Sequence, residues 1–215
     1  MSNSSRFEAI IFDFDGVLAD STHIKTTAFR SVYKQYGDSV VDAVVAYHAA
    51  HEGISRVVKI KHCHKEYLGI DLDDQALAEV VSTYQDIVET KVIECDWIEG
   101  ARELLDSVYQ KIPLFVASGT PQDELRRIVD ARGMSHYFTE TRGSPDKKDV
   151  IVRDVAIRFG FNPTNALFLG DAMTDYHAAM ACNCPFIGVV AHDRENPFPE
   201  NSQTVENLLF IAELL

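Results

Sequence analysis

The sequence predicts an α/β protein with a doubly wound, Rossmann-like parallel sheet as its core and an inserted helical cap domain. Short, continuously apolar runs that end in polar residues or glycine are typical of parallel strands covered on both faces. Helical patterns alternate with the later runs, as they do in doubly wound folds. A long helical interval after the first run predicts the insertion.

The predicted strands cover residues 9–14, 114–117, 166–169 and 186–190, with a weaker candidate around Tyr137 and Phe138. The helical patterns between the later runs cover residues 122–131, 148–159 and 175–181. In an open sheet of this kind, ligands bind beyond the carboxyl ends of the strands. The residues that follow each run are therefore the first place to look for a site.

The insertion is recognised by its length. A strand–helix–strand unit needs about 30 residues, whereas the interval between Asp15 and Ser118 is far longer. Helical patterns fill it at residues 22–36, 40–50, 55–67 and 74–92, and Gly37 and Gly69 are plausible helix stops. We expect a core formed by residues 1–19 and 96–215 and a cap formed by residues 20–95.

The composition indicates an ordinary soluble globular protein. The chain is 46% hydrophobic and 25% charged, and its formal net charge is −13. This charge disfavours binding to nucleic acid or to an anionic membrane, because such binding depends on Lys and Arg. An anionic substrate would need local cations, a metal or main-chain amides. We expect a monomer or a small homo-oligomer.

The sequence favours a cytoplasmic location. No apolar run approaches the roughly 20 residues of a membrane span, and the leading MSNSSRF lacks the apolar core of a secretory signal. The four cysteines show no C-x-x-C spacing, so we expect no disulfide framework. The adjacent His62, Cys63 and His64 point in divergent directions on a helix, which favours structural roles.

Polar side chains of matching chemistry follow three of the predicted strands. Asp13 and Asp15 end the first run and precede Gly16, which permits an abrupt turn. Ser118 and Gly119 end the second run just before a helix, where a hydroxyl and free amides form a phosphate cradle. Each pattern alone is also typical of an ordinary turn or helix cap.

The strand predicted at residues 166–169 is followed by two more carboxylates, Asp171 and Asp175. Facing Asp13 and Asp15 across the sheet edge, they would form a hard-oxygen site, which suits Mg²⁺. Lys147 and Lys148 open an intervening helix and supply positive charge.

Together these motifs resemble the haloacid dehalogenase superfamily of phosphotransferases. The matching segments, which are in the family's order, are FDFDGVLADS at 12–21, SGT at 118–120, GSPDKK at 143–148 and LGDAMTD at 169–175. The helical insertion resembles the cap of the β-phosphoglucomutase and phosphoglycolate phosphatase branch. The resemblance implies a Mg²⁺-dependent phosphatase that hydrolyses a small phosphorylated metabolite, such as a sugar phosphate or a phosphoglycolate-like compound.

The resemblance also implies catalytic and metal-binding roles. Asp13 would be the nucleophile that forms an aspartyl phosphate, and Asp15 the general acid and base. The metal ligands would be Asp13, Asp15 through its backbone carbonyl, and Asp171, with Asp175 supporting the loop or the water shell.

The remaining implied roles concern the phosphate and the rest of the substrate. Ser118 and the Gly119 amide would hold phosphate oxygens. The family spacing G-S-P-x-x-K selects Lys148 as the phosphate-binding lysine over the alternative Lys147. In the cap, Arg56 is the main candidate for gripping a substrate anion, because guanidinium binds carboxylate or phosphate in bidentate fashion.

Three further cap positions are weaker candidates for substrate contact: Ser55, Lys25 and Glu52. Lys25 stands where the phosphoglucomutase branch carries a histidine needed for mutase closure. Its presence disfavours a sugar-phosphate mutase.

Three alternatives to the phosphatase stay open: a mutase, a haloacid dehalogenase of the same superfamily, and a catalytically silent binding module. Dehalogenation needs neither Mg²⁺ nor a leaving-group proton, so Asp15 and the G-D-x-x-x-D segment disfavour it. Retention of every chemical position disfavours a silent module.

Overall fold

The computed structural model describes residues 6–51, 54–192 and 194–214 of the 215-residue chain. The first five residues of the leading MSNSSRF lie outside the described residues. So do Glu52, one of the weaker cap candidates, and Gly53.

The described residues form a six-stranded parallel sheet flanked by helices, in an α/β, Rossmann-like arrangement. The strands are β1 (Ala9–Phe12), β2 (Leu114–Pro121), β3 (Glu140–Ser144), β4 (Ala166–Gly170), β5 (Phe186–Val189) and β6 (Thr204–Val205). Their order across the sheet is β3-β2-β1-β4-β5-β6. The predicted fold class is confirmed.

The helices are α1 (Thr22–Tyr33), α2 (Asp38–Ala50), α3 (Arg56–Leu68), α4 (Asp74–Glu94), α5 (Ala101–Val108), α6 (Gln122–Ala131), α7 (Lys148–Phe159) and α8 (Met173–Ala181). The first four occupy the interval between β1 and β2 in which the insertion was expected. Gly69 ends α3 in the left-handed conformation, with φ of +67°, and its amide donates to carbonyl oxygens of the last turn.

Strand β1 explains why continuous hydrophobicity predicts this sheet. Ile10 and Phe12 pack into the cluster on one face of the sheet, and Ala9 and Ile11 pack into the cluster on the other. All four are fully buried. Because successive side chains of a strand point to opposite faces, a strand covered on both sides is apolar at every position.

Three details differ from the sequence prediction. The weak strand predicted at Tyr137 and Phe138 is wrong: Ser135–Tyr137 is a 3₁₀ turn, and β3 begins at Glu140. This strand reads Glu-Thr-Arg-Gly-Ser and lies at the edge of the sheet, so its residues are mostly half-buried and give little apolar signal. Helix α5 and the two-residue β6 were not predicted.

Ion pairs and hydrogen bonds join the helices of the interval to the core. Arg127 of α6 makes a bidentate pair with Glu89 of α4, with distances of 2.8 and 2.9 Å. Arg132 donates to the carbonyl oxygens of Val92, Ile93 and Cys95 at the end of α4. These contacts fix α4 against the core beside the point where the chain returns to the sheet.

Two features bear on the sequence expectations about membranes and cysteines. Within the described ranges, no helix combines the length and the apolarity that crossing a bilayer requires. All four cysteines are free thiols, and Cys63, Cys182 and Cys184 are buried.

Candidate active site

The site lies where three central strands end. Strand β1 is paired with β2 on one side and with β4 on the other. The residue after β1 is Asp13, whose amide continues the ladder by donating to Leu169 O at 2.8 Å. The carboxyl ends of parallel strands lie at the same edge of a sheet. The residues at the carboxyl ends of these strands, Asp13, Ser118 and Asp171, are therefore brought together at that edge.

Lys148, the first residue of α7, occupies the centre of this edge. Its Nζ lies 3.0 Å from Asp13 Oδ2 and 2.6 Å from Asp175 Oδ1. Burial lowers the pKa of Lys148, but the adjacent Asp13 and Asp175 carboxylates outweigh it and raise that pKa, so the side chain stays an ammonium. The neighbouring Lys147 is exposed. Of the two adjacent lysines, Lys148 reaches the carboxylates.

Three buried carboxylates form a cluster: Asp13, Asp171 and Asp175 each offer an oxygen within 4.8 Å of the others. Burial, reinforced by the charges of Asp175 and Asp15 and opposed by Lys148, raises the pKa of Asp13 to about 7. A divalent cation would offset the electrostatic repulsion between these carboxylates. The donor set, all carboxylate oxygen, fits Mg²⁺.

Two glycines allow the loops of the cluster to approach closely. Gly16 has φ of +77°, and a Cβ added there would lie 2.2 Å from Asp171 Oδ2. A Cβ at Gly170 would lie 2.2 Å from Asp175 Cβ. Each glycine therefore carries the backbone directly against a carboxylate side chain. The backbone after Asp15 lies against Asp171 for this reason.

The side chain of Asp15 points to a different set of partners. Ser21 Oγ donates to its Oδ1 at 2.5 Å, Thr120 Oγ1 donates to its Oδ2 at 3.1 Å, and Lys25 forms an ion pair with Oδ2. Burial raises the pKa of Asp15, but the Lys25 charge and these hydrogen bonds outweigh it and hold that pKa below its usual range. Lys25, a substrate-contact candidate, therefore contacts the acid/base candidate.

The phosphate-cradle candidates lie in the irregular end of β2, where the pairing register with β3 shifts. Ser118 is buried, and its Oγ accepts a hydrogen bond from the Thr120 amide at 3.1 Å. Gly119 lines the cavity that contains Asp13. Ser118 and Gly119 also line a neighbouring cleft of about 590 Å³ that includes Lys147 and Ser55.

The cap candidate Arg56 is the first residue of α3 and is buried. It forms an ion pair with Glu124 of α6, and its guanidinium carbon lies 4.8 Å from the centre of the Tyr84 ring. Both Arg56 and Tyr84 line the cavity over Asp13. Ser55 directly precedes α3 but its side chain makes no hydrogen bond to that helix.

The cavity has a volume of about 50 Å³ and includes residues that the sequence did not single out. Asp13, Asp15 and Asp171 come from the core, whereas His48 of α2 and Lys59 of α3 come from the interval helices. Lys59 follows Arg56 by one helical turn, a spacing that places the two on one face and was visible in the sequence. His48 gave no such signal, because the packing of α2 decides its position.

Comparisons with known proteins agree with this geometry. The model of the family described as haloacid dehalogenase-like hydrolase matches residues 10–189. The phosphoglycolate phosphatase of Neisseria gonorrhoeae is 25% identical over 189 residues, covering 85% of this chain and 79% of the relative. The 6-phosphogluconate phosphatase of Escherichia coli is 25% identical over 219 residues, covering 94% and 95%.

A solved structure has the same fold. The β-phosphoglucomutase of Clostridium difficile aligns with a TM-score of 0.75 and 20% identity, over 97% of this chain and 96% of that one. The family match spans all of the strands that carry the site, from β1 to β5. The chain is thus an enzyme of the haloacid dehalogenase-like hydrolase family.

Proposed function

We propose that this enzyme is a Mg²⁺-dependent phosphatase that hydrolyses a small phosphorylated metabolite through an aspartyl phosphate on Asp13. The observation that most directly supports this proposal is the position of Lys148. Its ammonium lies between Asp13 and Asp175 inside a buried carboxylate cluster. Such a centre combines a carboxylate nucleophile with positive charge for a phosphoryl group. The relatives named as phosphatases support the same reaction.

In this proposal Asp13 and Asp171 hold the Mg²⁺ through their carboxylates and Asp15 through its backbone carbonyl. The Asp15 carboxylate faces Lys25, Ser21 and Thr120 and is not part of the carboxylate cluster, so we assign it to proton transfer and not to the metal. Asp175 forms an ion pair with Lys148 and accepts a hydrogen bond from the Ala172 amide. When bound, the metal supplies charge stabilisation for the transferring phosphoryl group.

The chemistry follows from these positions. Asp13 attacks phosphorus and displaces the alcohol oxygen of the substrate, and that oxygen takes its proton from the carboxylic acid form of Asp15, which the Lys25 ion pair disfavours in the free enzyme. Asp15 then removes a proton from the water that attacks the aspartyl phosphate. Ser118, the Gly119 amide and Lys148 hold the phosphoryl oxygens through both steps. This arrangement places cations and amides around the phosphate in a chain whose net charge is −13.

The proposal includes the substrate class and setting. The substrate is a sugar phosphate or a phosphoglycolate-like compound held under the cap formed by residues 20–95, with Arg56, Ser55 and Lys25 as cap contacts. The enzyme acts in the cytoplasm as a monomer or small homo-oligomer, without nucleic acid or membrane partners. The free thiols are consistent with a reducing compartment.

The experiment measures phosphate release alongside the products expected of a dehalogenase and of a mutase. Purified enzyme is assayed with p-nitrophenyl phosphate, acetyl phosphate, phosphoglycolate and phosphogluconate, with and without Mg²⁺. We expect Mg²⁺-dependent release of inorganic phosphate that Asp13→Asn removes. Halide release from a chlorinated acid without metal would instead identify a dehalogenase. Interconversion of sugar phosphates without net phosphate release would identify a mutase, which Lys25 in place of the mutase histidine disfavours.

A further inference from the structure

Two cap residues outside the predicted site, His48 and Lys59, line the same cavity as Asp13. They lie on different helices, α2 and α3, and both are buried, with 4% and 3% of their surfaces exposed. Lys59 lies one turn after Arg56, which is also buried and also lines the cavity. With Lys25, four nitrogen-bearing side chains of the cap therefore line the cavity.

The hydrogen bond between His48 and Lys59 determines which ring nitrogen of His48 carries the proton. Lys59 Nζ lies 2.9 Å from His48 Nδ1. A lysine ammonium only donates, so Nδ1 accepts and the proton of the neutral ring resides on Nε2. Burial and the nearby positive charges of Lys59, Lys25 and Arg194 lower the pKa of His48 to about 3, which keeps the ring neutral.

Two of the donors beside this cavity have no acceptor among the described residues. His48 Nε2 and Arg56 Nη1 are both buried without a hydrogen-bond partner there, and so is Oε2 of Glu124, the carboxylate that pairs with Arg56. Buried polar groups in folded proteins are nearly always paired, and an unpaired one is costly. Two unpaired donors beside one cavity indicate that a ligand supplies their acceptors.

Aromatic rings hold these donors in place. The Phe29 ring centre lies 4.7 Å from the His48 ring and 4.7 Å from the Tyr84 ring. Lys59 Nζ lies 6.0 Å from the Phe29 centre, and the Arg56 guanidinium lies over Tyr84. Cations placed on aromatic faces are stabilised there. The donor set is therefore organised before a substrate enters.

We propose that His48 and Lys59, together with Arg56, form a subsite for an oxyanion at the end of the substrate remote from the cleaved phosphate. This subsite rests on the proposed phosphatase function, whose chemistry it does not perform. His48 Nε2 and Arg56 Nη1 donate to the oxyanion, and Lys59 orients His48 and adds positive charge. The oxyanion is a carboxylate or a second phosphate group, both of which accept several hydrogen bonds.

The test uses His48→Phe, which keeps an aromatic ring against Phe29 but removes the donor, and His48→Gln, whose amide restores a donor near the position of Nε2. The matched control is His64→Phe, which alters another buried histidine of the cap. His64 bonds to the Tyr33 hydroxyl at 2.8 Å and does not line the cavity.

Four substrates distinguish the sources of the oxyanion. Phosphoglycolate and phosphogluconate carry a carboxylate, fructose bisphosphate carries a second phosphate, and glucose phosphate has an uncharged distal end. Acetyl phosphate serves as the small reference without a distal group. We expect His48→Phe to lower kcat/KM for the best oxyanion-bearing substrate by roughly 10- to 100-fold, mostly through KM. Acetyl phosphate should lose less than about threefold.

His48→Gln should recover most of the loss, and His64→Phe should leave the substrate preference intact. Calorimetry on Asp13→Asn, with and without His48→Phe, should show the same weakening of affinity independently of turnover. Equal losses on acetyl phosphate and on the oxyanion-bearing substrates, or a preference for glucose phosphate over all of them, would overturn the subsite. Turnover of acetyl phosphate that survives Asp13→Asn would instead overturn the proposed function.

Discussion

The ammonium of Lys148 lies 3.0 Å from Asp13 and 2.6 Å from Asp175, although 135 and 27 positions separate these residues along the chain. The lysine neutralises part of a cluster in which burial and neighbouring carboxylates raise the pKa of Asp13 to about 7. In the reaction that we propose, the same ammonium would contact a phosphoryl group attached to Asp13. One side chain thus serves both the folded protein and the reaction that we propose for it.

Asp13→Asn should abolish turnover while the protein stays folded. Asparagine keeps the size of the side chain and removes a buried negative charge, but it cannot form the acyl phosphate. Initial rates with acetyl phosphate and a thermal melt test both parts, with mass spectrometry to exclude deamidation back to aspartate. Retention of a tenth of the wild-type kcat by the intact variant would disprove the nucleophile assignment.

The two adjacent lysines provide a matched pair. Lys148→Met should lower kcat/KM by at least 100-fold, because it removes the only cation among the described residues that contacts Asp13. It should also destabilise the fold, since breaking a buried ion pair costs about 3–5 kcal/mol unless the carboxylates protonate. Lys147→Met, at an exposed position, should change both quantities little. Comparable losses in the two variants would contradict the assignment.

Chelation should remove activity and Mg²⁺ should restore it. EDTA strips the metal that we assign to Asp13, Asp15 and Asp171, and added Ca²⁺ should inhibit, because its larger and looser coordination shell spoils in-line geometry. Phosphate release measured before and after rigorous metal removal decides the matter. Full activity in the metal-free enzyme would reopen the dehalogenase alternative.

Arg56→Ala should damage turnover of a substrate with a distal anion much more than turnover of acetyl phosphate. Loss of a charge-assisted hydrogen bond of about 1.5–3 kcal/mol corresponds to roughly a 10- to 150-fold drop in kcat/KM. The change also leaves the Glu124 carboxylate buried without its partner, so a lower melting temperature accompanies it. Kinetics below that temperature separate the two effects.

The control for this variant is Arg127→Ala. Arg127 also joins α6 to a helix of residues 22–94 through a carboxylate, Glu89, but it is exposed and does not line the cavity. It should leave the ratio of the two substrates unchanged. If Arg127→Ala shifts that ratio as Arg56→Ala does, the role of Arg56 is general cap closure and not substrate recognition.

The sequence could predict the parallel sheet because its signal is local. Residues 9–12 are apolar at every position since both faces of β1 are covered, and the same holds for the buried β4. The edge strand β3 gave no such signal, so it was placed too early, and β6 is too short to produce a pattern. Local periodicity reports burial, and burial is weakest at the edges of a sheet.

The amino-acid sequence by itself determined the strand-end chemistry: Asp13, Asp15, Ser118, Asp171 and Lys148 each follow from a motif at the end of a strand or the start of a helix. Only the tertiary structure decided which groups contact one another. It turns Asp15 towards Lys25 and places Asp175 with Asp13 and Asp171. It also joins His48 to Lys59 across two helices. These contacts depend on how the interval helices pack over the sheet, and packing between distant segments leaves no local pattern in the chain.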